Sequence, residues 1–385
     1  MTLRGKASIV GAFEYPRRVI PDKSFLELYS EIVVGALDDA GLRIGDVDGF
    51  FCGGDAPGLG GLTMAEYLGL NLLYLDSTET GGSAPLFHVG HAAAAIAAGK
   101  CSIAVVAVAG LPRQNGGMVI PDYTYPEGAF ETPYGPTSVN IYAIAAQRHM
   151  HEYGTTSEQL AQIRVAASHH AQFNPNAFRP QLVTVDEVLA SPMVSSPLHV
   201  MDCCVITDGG GAVVVVSPEI AKSLPRRSAK ILGHGETVRH TQNGRADLTT
   251  TGALRSGSTA FDEARVTPND IDYGSIYDSF TITVLMTLED LGFCEKGSGG
   301  KFVLEDTLIA PFGALPVNTD GGGLCNSHPN RGGMMKIVEA VRQVRGEAQP
   351  EVQVPNCELA LAHGSGGSLS GRMGSSTVIL GQADS

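Results

Sequence analysis

The sequence predicts an α/β protein built from two similar halves. The first observation is an internal repeat, since residues 36–49 align without a gap with residues 260–273, at an offset of 260 − 36 = 224. The second is the alternation of apolar strand patterns with helix patterns. The third is the presence of 48 glycines among 385 residues, which favours tight turns and close backbone packing. We therefore expect a duplicated fold with a pseudo-twofold axis.

The first half comprises residues 1–111 and 201–224. We expect its elements to alternate from a first strand to a last one, with Ser24 as the N-cap of the first helix and Gly41 just after its end. In order they are a strand at 7–12, a helix that ends before Gly41, a strand at 47–52, a short helix at 63–68, a strand at 70–75, a helix running through Ala98 and a strand at 103–109. Further on, Val213–Val216 reads as a strand, and the glycine triplet 209–211 as a turn before it.

Residues 112–200 read as an insertion of loops and helices. Residues 112–136 are rich in Pro, Gly and Tyr and show little periodicity, while helices are expected at 138–153 and 157–172. Residues 173–200 are again irregular. Insertions of this kind in α/β proteins usually shape a binding pocket. The second half then occupies residues 225–385.

Composition excludes several classes of function. A net charge of −14, without a long cluster of Lys or Arg, makes nucleic acid and anionic membranes poor partners. The longest apolar runs, 92–98 and 103–109, are too short to span a bilayer. The seven cysteines have no metal-ligand spacing, so we expect no metal site and a reduced, cytoplasmic compartment. The first residues lead straight into a strand, which predicts no signal peptide.

The stretch 317–333 is the strongest candidate for a site. It presents His328 in a glycine-rich loop directly before the apolar-periodic segment 334–344. A helix N-terminus after such a loop offers free N–H groups and the positive end of a dipole, which suits an oxyanion or a thioester carbonyl. In the duplicated geometry the loop 78–86 is its counterpart. Both loops should point toward one central site.

Together these residues resemble the thiolase superfamily, near the sterol-carrier-protein thiolases. The resemblance covers essentially the whole chain. It is carried by the stretches 36–49, 277–280, 317–322, 327–329 and 362–367. It implies a five-layered α-β-α-β-α fold, a homodimer and an acyl-CoA site, with the coenzyme A thioester as substrate and no covalently bound cofactor.

The chemistry departs from the thiolase pattern. The nucleophilic cysteine of thiolases falls at Gly82, with Ser83 beside it, and the second cysteine falls at Ala362 or His363. The histidine of the family motif is retained as His328, but neither cysteine is present. Ordinary acyl-enzyme chemistry is therefore not expected.

Some members of this branch lack the cysteine and cleave carbon–carbon bonds by retro-aldol chemistry. The resemblance to them implies a small partner protein with zinc-ribbon and OB-fold domains. It also implies tyrosines that transfer protons. Tyr277 matches one of these, whereas the position of the other carries Asn326, so the match to the aldolases is incomplete.

Each candidate residue has a functional and a structural interpretation. We predict that His328 stabilises an oxyanion or enolate, that Tyr277 transfers a proton, and that Asp278 holds a catalytic water. The remaining candidates would line the site or be structural. They are His363 as a polar group in the same pocket, Gly82 as open space for the substrate, Ser83 as an oxyanion donor or nucleophile, Cys325 as a substitute nucleophile, and Asn326 and Gly366 in the substrate loops.

The function predicted first is non-covalent, retro-aldol cleavage of a bulky hydrophobic acyl-CoA. The alternative is a thiolase-type acyltransferase, for thiolytic cleavage or Claisen condensation, with an unconventional nucleophile. A third possibility is a non-catalytic subunit that binds acyl-CoA or lipid. Cleavage that needs free CoA would indicate thiolysis, and cleavage without CoA would indicate an aldolase.

Overall fold

A computed structural model describes residues 2–114, 137–242, 244–369 and 371–383. The strands are β1 (Ser8–Glu14), β2 (Gly49–Cys52), β3 (Tyr74–Asp76), β4 (Ile103–Gly110), β5 (Met193–Ser195), β6 (Leu198–His199), β7 (Gly209–Val216), β8 (Ala229–Arg239), β9 (Tyr273–Ile276), β10 (Leu359–Ser368) and β11 (Gly371–Gln382). The helices are α1 (Phe25–Ala40), α2 (Gly61–Leu68), α3 (Ala84–Ala97), α4 (Ser138–Tyr153), α5 (Ser157–Ala171), α6 (Val185–Ala190), α7 (Pro218–Ser223), α8 (Ala253–Ala264), α9 (Thr281–Asp290), α10 (Gly299–Phe302), α11 (Gly322–Cys325) and α12 (Gly333–Arg345).

The strand order repeats between the two halves. The main sheet has nine strands in the order β3-β2-β4-β7-β1-β8-β11-β10-β9. Read outward from the centre, β1-β7-β4-β2-β3 is matched by β8-β11-β10-β9, and Val317 pairs in parallel with β9 where β3 pairs with β2 in the first half. The halves join where Ser8 pairs with Lys230 and Ile9 with Ala229.

Two helices lie between the halves and contact both. Helix α3 packs on β4 and β2 of the first half and on β10 and β11 of the second, and α12 contacts β7 and β1 as well as β10 and β9. On the outside, α1 covers β1, β7 and β4, while α8 covers β8 and β11. The five-layered α-β-α-β-α arrangement predicted from the sequence is therefore confirmed.

Alternation along each strand separates the layers. In β4, Val105 and Ala107 pack into the cluster around α1, whereas Val106 and Val108 pack into the cluster around α3 and α12. The same alternation in β10 sends Leu361 to the outer cluster and Ala362 to the central one. Successive side chains of a strand point to opposite faces, so each sheet half is buried on both sides.

The predicted helices agree closely with the observed ones. Ser24 caps α1 in a capping box with Glu27, and Gly41 ends the helix in the left-handed conformation with φ 71°. Helices α4 and α5 match the predicted segments 138–153 and 157–172 to within one residue. Most of the irregular stretch 112–136 lies outside the described residues.

Within the described part of the chain, no helix is long and apolar enough to cross a membrane. The domain boundaries at 112, 201 and 225 stay a prediction.

Two strand predictions were wrong in their bounds. Gly209–Gly211 does not form a turn but begins β7, where Gly210 pairs with Ala109 of β4. A Cβ at Gly210 would lie 2.3 Å from the carbonyl oxygen of Val108, so the glycines are needed for close packing inside the strand. Strand β3 begins at Tyr74, four residues after the predicted start at residue 70.

Candidate functional site

The structure brings together Tyr277 and His328, two of the residues predicted for catalysis. Tyr277 is the first residue after β9, and His328 follows the short helix α11. The Tyr277 hydroxyl lies 2.8 Å from Nε2 of His328. The rings meet edge to face, with centroids 5.6 Å apart. The hydroxyl donates if Nε2 carries no proton, and it accepts in the other tautomer of the imidazole.

The Tyr277 hydroxyl also fills the space next to Gly82. A Cβ built on Gly82 would lie 2.3 Å from this hydroxyl oxygen and 2.4 Å from the carbonyl oxygen of Ser365. The expectation that Gly82 leaves open space for the substrate is thus corrected. The position where thiolases carry their nucleophile has no side chain, and it has no room for one while Tyr277 and the carbonyl of Ser365 stay in place.

Both members of the pair are neutral at pH 7. Burial lowers the pKa of His328 to about 4, and burial raises the pKa of Tyr277 well above its ordinary value. Tyr277 is buried, whereas His328 keeps partial exposure. A neutral imidazole beside a neutral phenol forms a hydrogen-bonded donor–acceptor pair, which can move a proton or hold a developing negative charge.

The N-termini of the two central helices meet at this pair. A Cβ at Gly333, the first residue of α12, would lie 2.2 Å from the carbonyl oxygen of Gly82 in the loop before α3. Neither helix has a side-chain hydrogen bond at its N-cap. The N–H of Ala84 bonds the carbonyl oxygen of Gly81, and the N–H groups of Met334 and Met335 bond those of Arg331 and Gly332. What both helix starts offer a negative charge is therefore the positive end of the helix dipole. The two loops predicted to converge on one central site do so.

A salt bridge joins the same two loops. Arg331 donates to Oε2 of Glu79 from NH2 at 2.6 Å and from Nε at 3.1 Å. The Glu79 carboxylate also accepts the N–H of Gly81 at 2.6 Å and that of Gly54 at 2.5 Å. Sequence reasoning missed Glu79 and Arg331. A signal for them was present in the sequence. One loop carries an acidic residue and the other a basic one, and the two loops were already expected to meet.

Asp278 is engaged by backbone and by a lysine. Its carboxylate accepts the N–H of Gly323 at 2.8 Å and the N–H of Leu324 at 3.1 Å. Nζ of Lys336 in α12 lies 2.5 Å from Oδ1 of Asp278, and both side chains are almost fully buried. These contacts fix α11 on the end of β9. The predicted water-holding role of Asp278 stays a prediction.

Asn326 belongs to a buried polar network beside the pair. Its side-chain oxygen accepts from NH2 of Arg18 at 2.7 Å, and its Nδ2 donates to Glu14 at 2.9 Å and to Asp320 at 3.0 Å. Because each side-chain end is bonded to charged partners, this residue anchors the loop that carries His328.

The side chain of His363 lies on the outer face of β10, toward helix α8, and not on the face toward the central helices. Its Nδ1 lies 2.9 Å from the hydroxyl of Thr377, and its Nε2 lies 3.3 Å from that of Ser375. Both hydroxyls also contact Ser256 of the outer helix α8. The imidazole of His363 is therefore not in the pocket of His328, contrary to expectation, because successive side chains of a strand alternate between faces.

The predicted alternative nucleophiles lie in environments that do not activate them. The Ser83 hydroxyl donates to the carbonyl oxygen of Thr80 at 2.8 Å. Cys325 is fully buried, and burial raises the pKa of its thiol to about 12, which favours the thiol over the reactive thiolate. Gly366 packs against the carbonyl of Thr80, directly beside the Gly82 loop.

Within the described ranges, no three His, Cys, Asp or Glu side chains group closely enough to hold a metal ion.

Comparison with known proteins agrees with this fold. A family model described as "Thiolase C-terminal domain-like" matches residues 235–382. The chain is 32% identical to an acetyl-CoA acetyltransferase of Methanothermobacter thermautotrophicus, over 94% of this chain and 96% of the relative. It is 34% identical to a steroid side-chain-cleaving aldolase of Thermomonospora curvata, over 89% and 91% of the two chains.

A solved structure supports the same assignment. The Ltp2-ChsH2(DUF35) aldolase superposes with a TM-score of 0.89 at 32% identity, covering 99% of both chains. The predicted family and fold are thus confirmed. With the repeated halves, the helix N-termini that converge at the Tyr277–His328 pair, and relatives matched over most of its length, the chain belongs to the thiolase superfamily of enzymes.

Proposed function

We propose that this protein cleaves a carbon–carbon bond of a β-hydroxyacyl-CoA by non-covalent, retro-aldol chemistry, and that its acyl group is bulky and hydrophobic. The observation that carries the proposal is the Tyr277 hydroxyl in the space beside Gly82. A thiolase needs a thiolate there. This chain instead presents a group that exchanges a proton and forms no acyl-enzyme.

The reaction balances with the groups at hand. The substrate hydroxyl loses its proton to the Tyr277 oxygen as Tyr277 passes its own proton to Nε2 of His328. The Cα–Cβ bond breaks, a carbonyl product forms, and the bonding electrons move to the thioester as an enolate. The positive ends of the α3 and α12 helix dipoles favour that negative charge. The enolate carbon then takes back the proton held by His328, by way of Tyr277, so that both side chains regain their starting state and the shorter acyl-CoA leaves.

Two relatives support different parts of the proposal. The aldolase of Thermomonospora curvata is described as cleaving steroid side chains, which agrees with the reaction and with a bulky apolar substrate. The acetyl-CoA acetyltransferase supports the use of a CoA thioester. It also keeps thiolase-type acyl transfer as the alternative, which would need Ser83 or Cys325 as nucleophile.

A substrate panel tests the reaction type. We expect purified protein to release a ketone or aldehyde from a β-hydroxyacyl-CoA without free CoA, and intact mass spectrometry to detect no acyl adduct. Cleavage of a β-ketoacyl-CoA that requires free CoA, together with an adduct lost in Ser83→Ala or Cys325→Ala, would establish acyl transfer instead. Binding without turnover, unaffected by His328→Ala, would establish a non-catalytic subunit.

We further propose that the protein forms a homodimer and acts with a small partner. The edge strand β3 supports the dimer, because Leu73, directly before the strand, and Leu75, on it, are 76% and 42% exposed. Leu59, just before the nearby helix α2, and Leu62, within that helix, are 76% and 58% exposed. An unpaired edge with apolar neighbours favours pairing with a second copy.

A zinc-ribbon and OB-fold partner remains a proposal, supported by the solved Ltp2-ChsH2(DUF35) aldolase. Turnover that rises on addition of such a protein would support it. We retain a reducing, cytoplasmic location as a proposal, because all seven cysteines are unpaired.

A further inference from the structure

We infer that Lys336 is a positioning residue of this site, which acts through Asp278 to keep Tyr277 and His328 in contact. The inference rests on the proposed function, since it assigns a role to a residue behind the same pair. Lys336 lies in neither of the two loops that form the site. It lies inside the central helix α12, where its neighbours in sequence are apolar. A charged side chain there is expensive to bury unless it has a partner.

The partner is Asp278, and the pair is buried. Nζ of Lys336 lies 2.5 Å from Oδ1 of Asp278, with side-chain exposures of 2% and 1%. Of the described hydrogen bonds none satisfies this ammonium, so its favourable interactions are with charge: the carboxylate of Asp278 in direct contact, and the buried carboxylate of Asp320. Such a pair contributes little net stability but is costly to break from one side. Its value is to fix geometry.

The ion pair fixes the position of Tyr277 relative to His328. Asp278 directly follows Tyr277, and its carboxylate binds the N–H groups of Gly323 and Leu324 at the start of α11. His328 lies three residues beyond α11. The ion pair therefore ties the end of β9, the histidine loop and α12 to one point. Loss of either charge should loosen Tyr277 from His328.

The pair also controls the charge near the imidazole. In the described structure the titratable and charged groups that face His328 are Tyr277 and Asp278 from the end of β9 and Lys336 from α12, while Arg331 in the same loop is paired with a carboxylate across the site. Burial is the main cause of the lowered pKa of His328; the carboxylate of Asp278 opposes it and the ammonium of Lys336 reinforces it. Removing the charge of Lys336 should raise the pKa of His328, and removing the charge of Asp278 should lower it.

Histidine titration by NMR tests this without any substrate, so it stands apart from the test of the reaction. The full-length protein, labelled at histidine Cε1, is titrated with acid, and the resonance of His328 is assigned by its loss in His328→Gln. We expect Lys336→Met to raise the pKa of His328 by on the order of one unit and Asp278→Asn to lower it. Lys336→Arg, which keeps the charge, should restore the behaviour of the unaltered protein.

Two further variants keep the test decisive. The double variant Lys336→Met/Asp278→Asn removes both charges of the ion pair, so neither member is left buried without the other. Its His328 pKa should exceed that of Asp278→Asn alone. Lys296→Met, which breaks the ion pairs to Glu289 at 3.1 Å and Asp290 at 2.6 Å, should leave His328 unchanged. An unchanged His328 titration in Lys336→Met, or in the double variant relative to Asp278→Asn, would overturn the inference.

Discussion

The hydroxyl of Tyr277 lies 2.8 Å from Nε2 of His328, and neither group is charged at pH 7. Burial is responsible on both sides, since it raises the pKa of the phenol and lowers that of the imidazole to about 4. An uncharged pair passes a proton only when a reacting group drives the transfer. A substitution that removes this hydrogen bond is therefore the most direct test of the pair.

Tyr277→Phe removes the hydroxyl and keeps the ring. Because the proton acceptor for the substrate hydroxyl is lost, we expect kcat for CoA-independent cleavage to fall by about 10²–10⁴-fold. Tyr67→Phe, at a position 48% exposed on α2, is the matched control and should retain full activity. Steady-state kinetics on one β-hydroxyacyl-CoA measures both. Equal rates for the two variants would contradict the role of Tyr277.

Gly82→Ala should inactivate the enzyme through its neighbour. The new Cβ would lie 2.3 Å from the Tyr277 hydroxyl and 2.4 Å from the carbonyl oxygen of Ser365, so both must move. A displacement of about 1 Å at a reacting group can cost on the order of 10²-fold in rate. Gly45→Ala is the control, because no atom lies within 4 Å of its added Cβ. Full activity of Gly82→Ala would show that Tyr277 does not need its present position.

Stability should fall in acid because of buried neutral histidines. Burial lowers the pKa of five of them, namely His88, His234 and His328 to about 4, and His170 and His363 to about 3. In the unfolded chain each titrates near its ordinary value of 6.5. Unfolding therefore takes up protons below about pH 6.5, and the stabilisation present above that pH is lost as the pH falls toward 4.

Denaturant unfolding at several pH values measures this effect. We expect the free energy of unfolding to decrease between pH 6.5 and 4, by about 2–3 kcal/mol for each histidine. His363→Gln should make the slope shallower, because one depressed group is removed. His91 acts in the opposite sense, since hydrogen bonds to Glu236 and Asp76 raise its pKa. A free energy independent of pH in this range would show that these imidazoles are not held neutral.

Leu73→Lys should separate the proposed dimer. A charge directly before the edge strand β3 disfavours pairing with a second copy. Light scattering after size exclusion should give the mass of a dimer for the unaltered protein and that of a monomer for this variant. Phe312→Lys, which removes a side chain 85% exposed outside that edge, should stay dimeric. A monomer without any substitution would refute the dimer.

Much of the architecture could be predicted from local patterns. The 224-residue offset placed the two halves in correspondence, and the capping residues placed α1, α4 and α5. The glycines of β7 could not be assigned in the same way. A glycine triplet indicates a turn as strongly as it indicates close packing, and only the carbonyl of Val108 on the neighbouring strand decides between them.

The site could be predicted in part. His328 was identifiable from its glycine-rich loop and Tyr277 from its motif, and the duplication implied that the loop of His328 meets that of Gly82. The side on which His363 points depends on strand register, which the sequence does not specify. Lys336 was hidden among apolar residues of a helix, and its meaning appears only once Asp278 lies next to it.

The exclusion between residue 82 and Tyr277 has an evolutionary consequence. A thiol at position 82 and a phenol at position 277 compete for one volume, so neither can be introduced while the other is present. A lineage that passes between acyl-enzyme and proton-transfer chemistry must therefore exchange both residues, and each single step gives a protein poor at either reaction. The two positions should consequently covary among relatives, with small or absent side chains at 82 wherever tyrosine occupies 277.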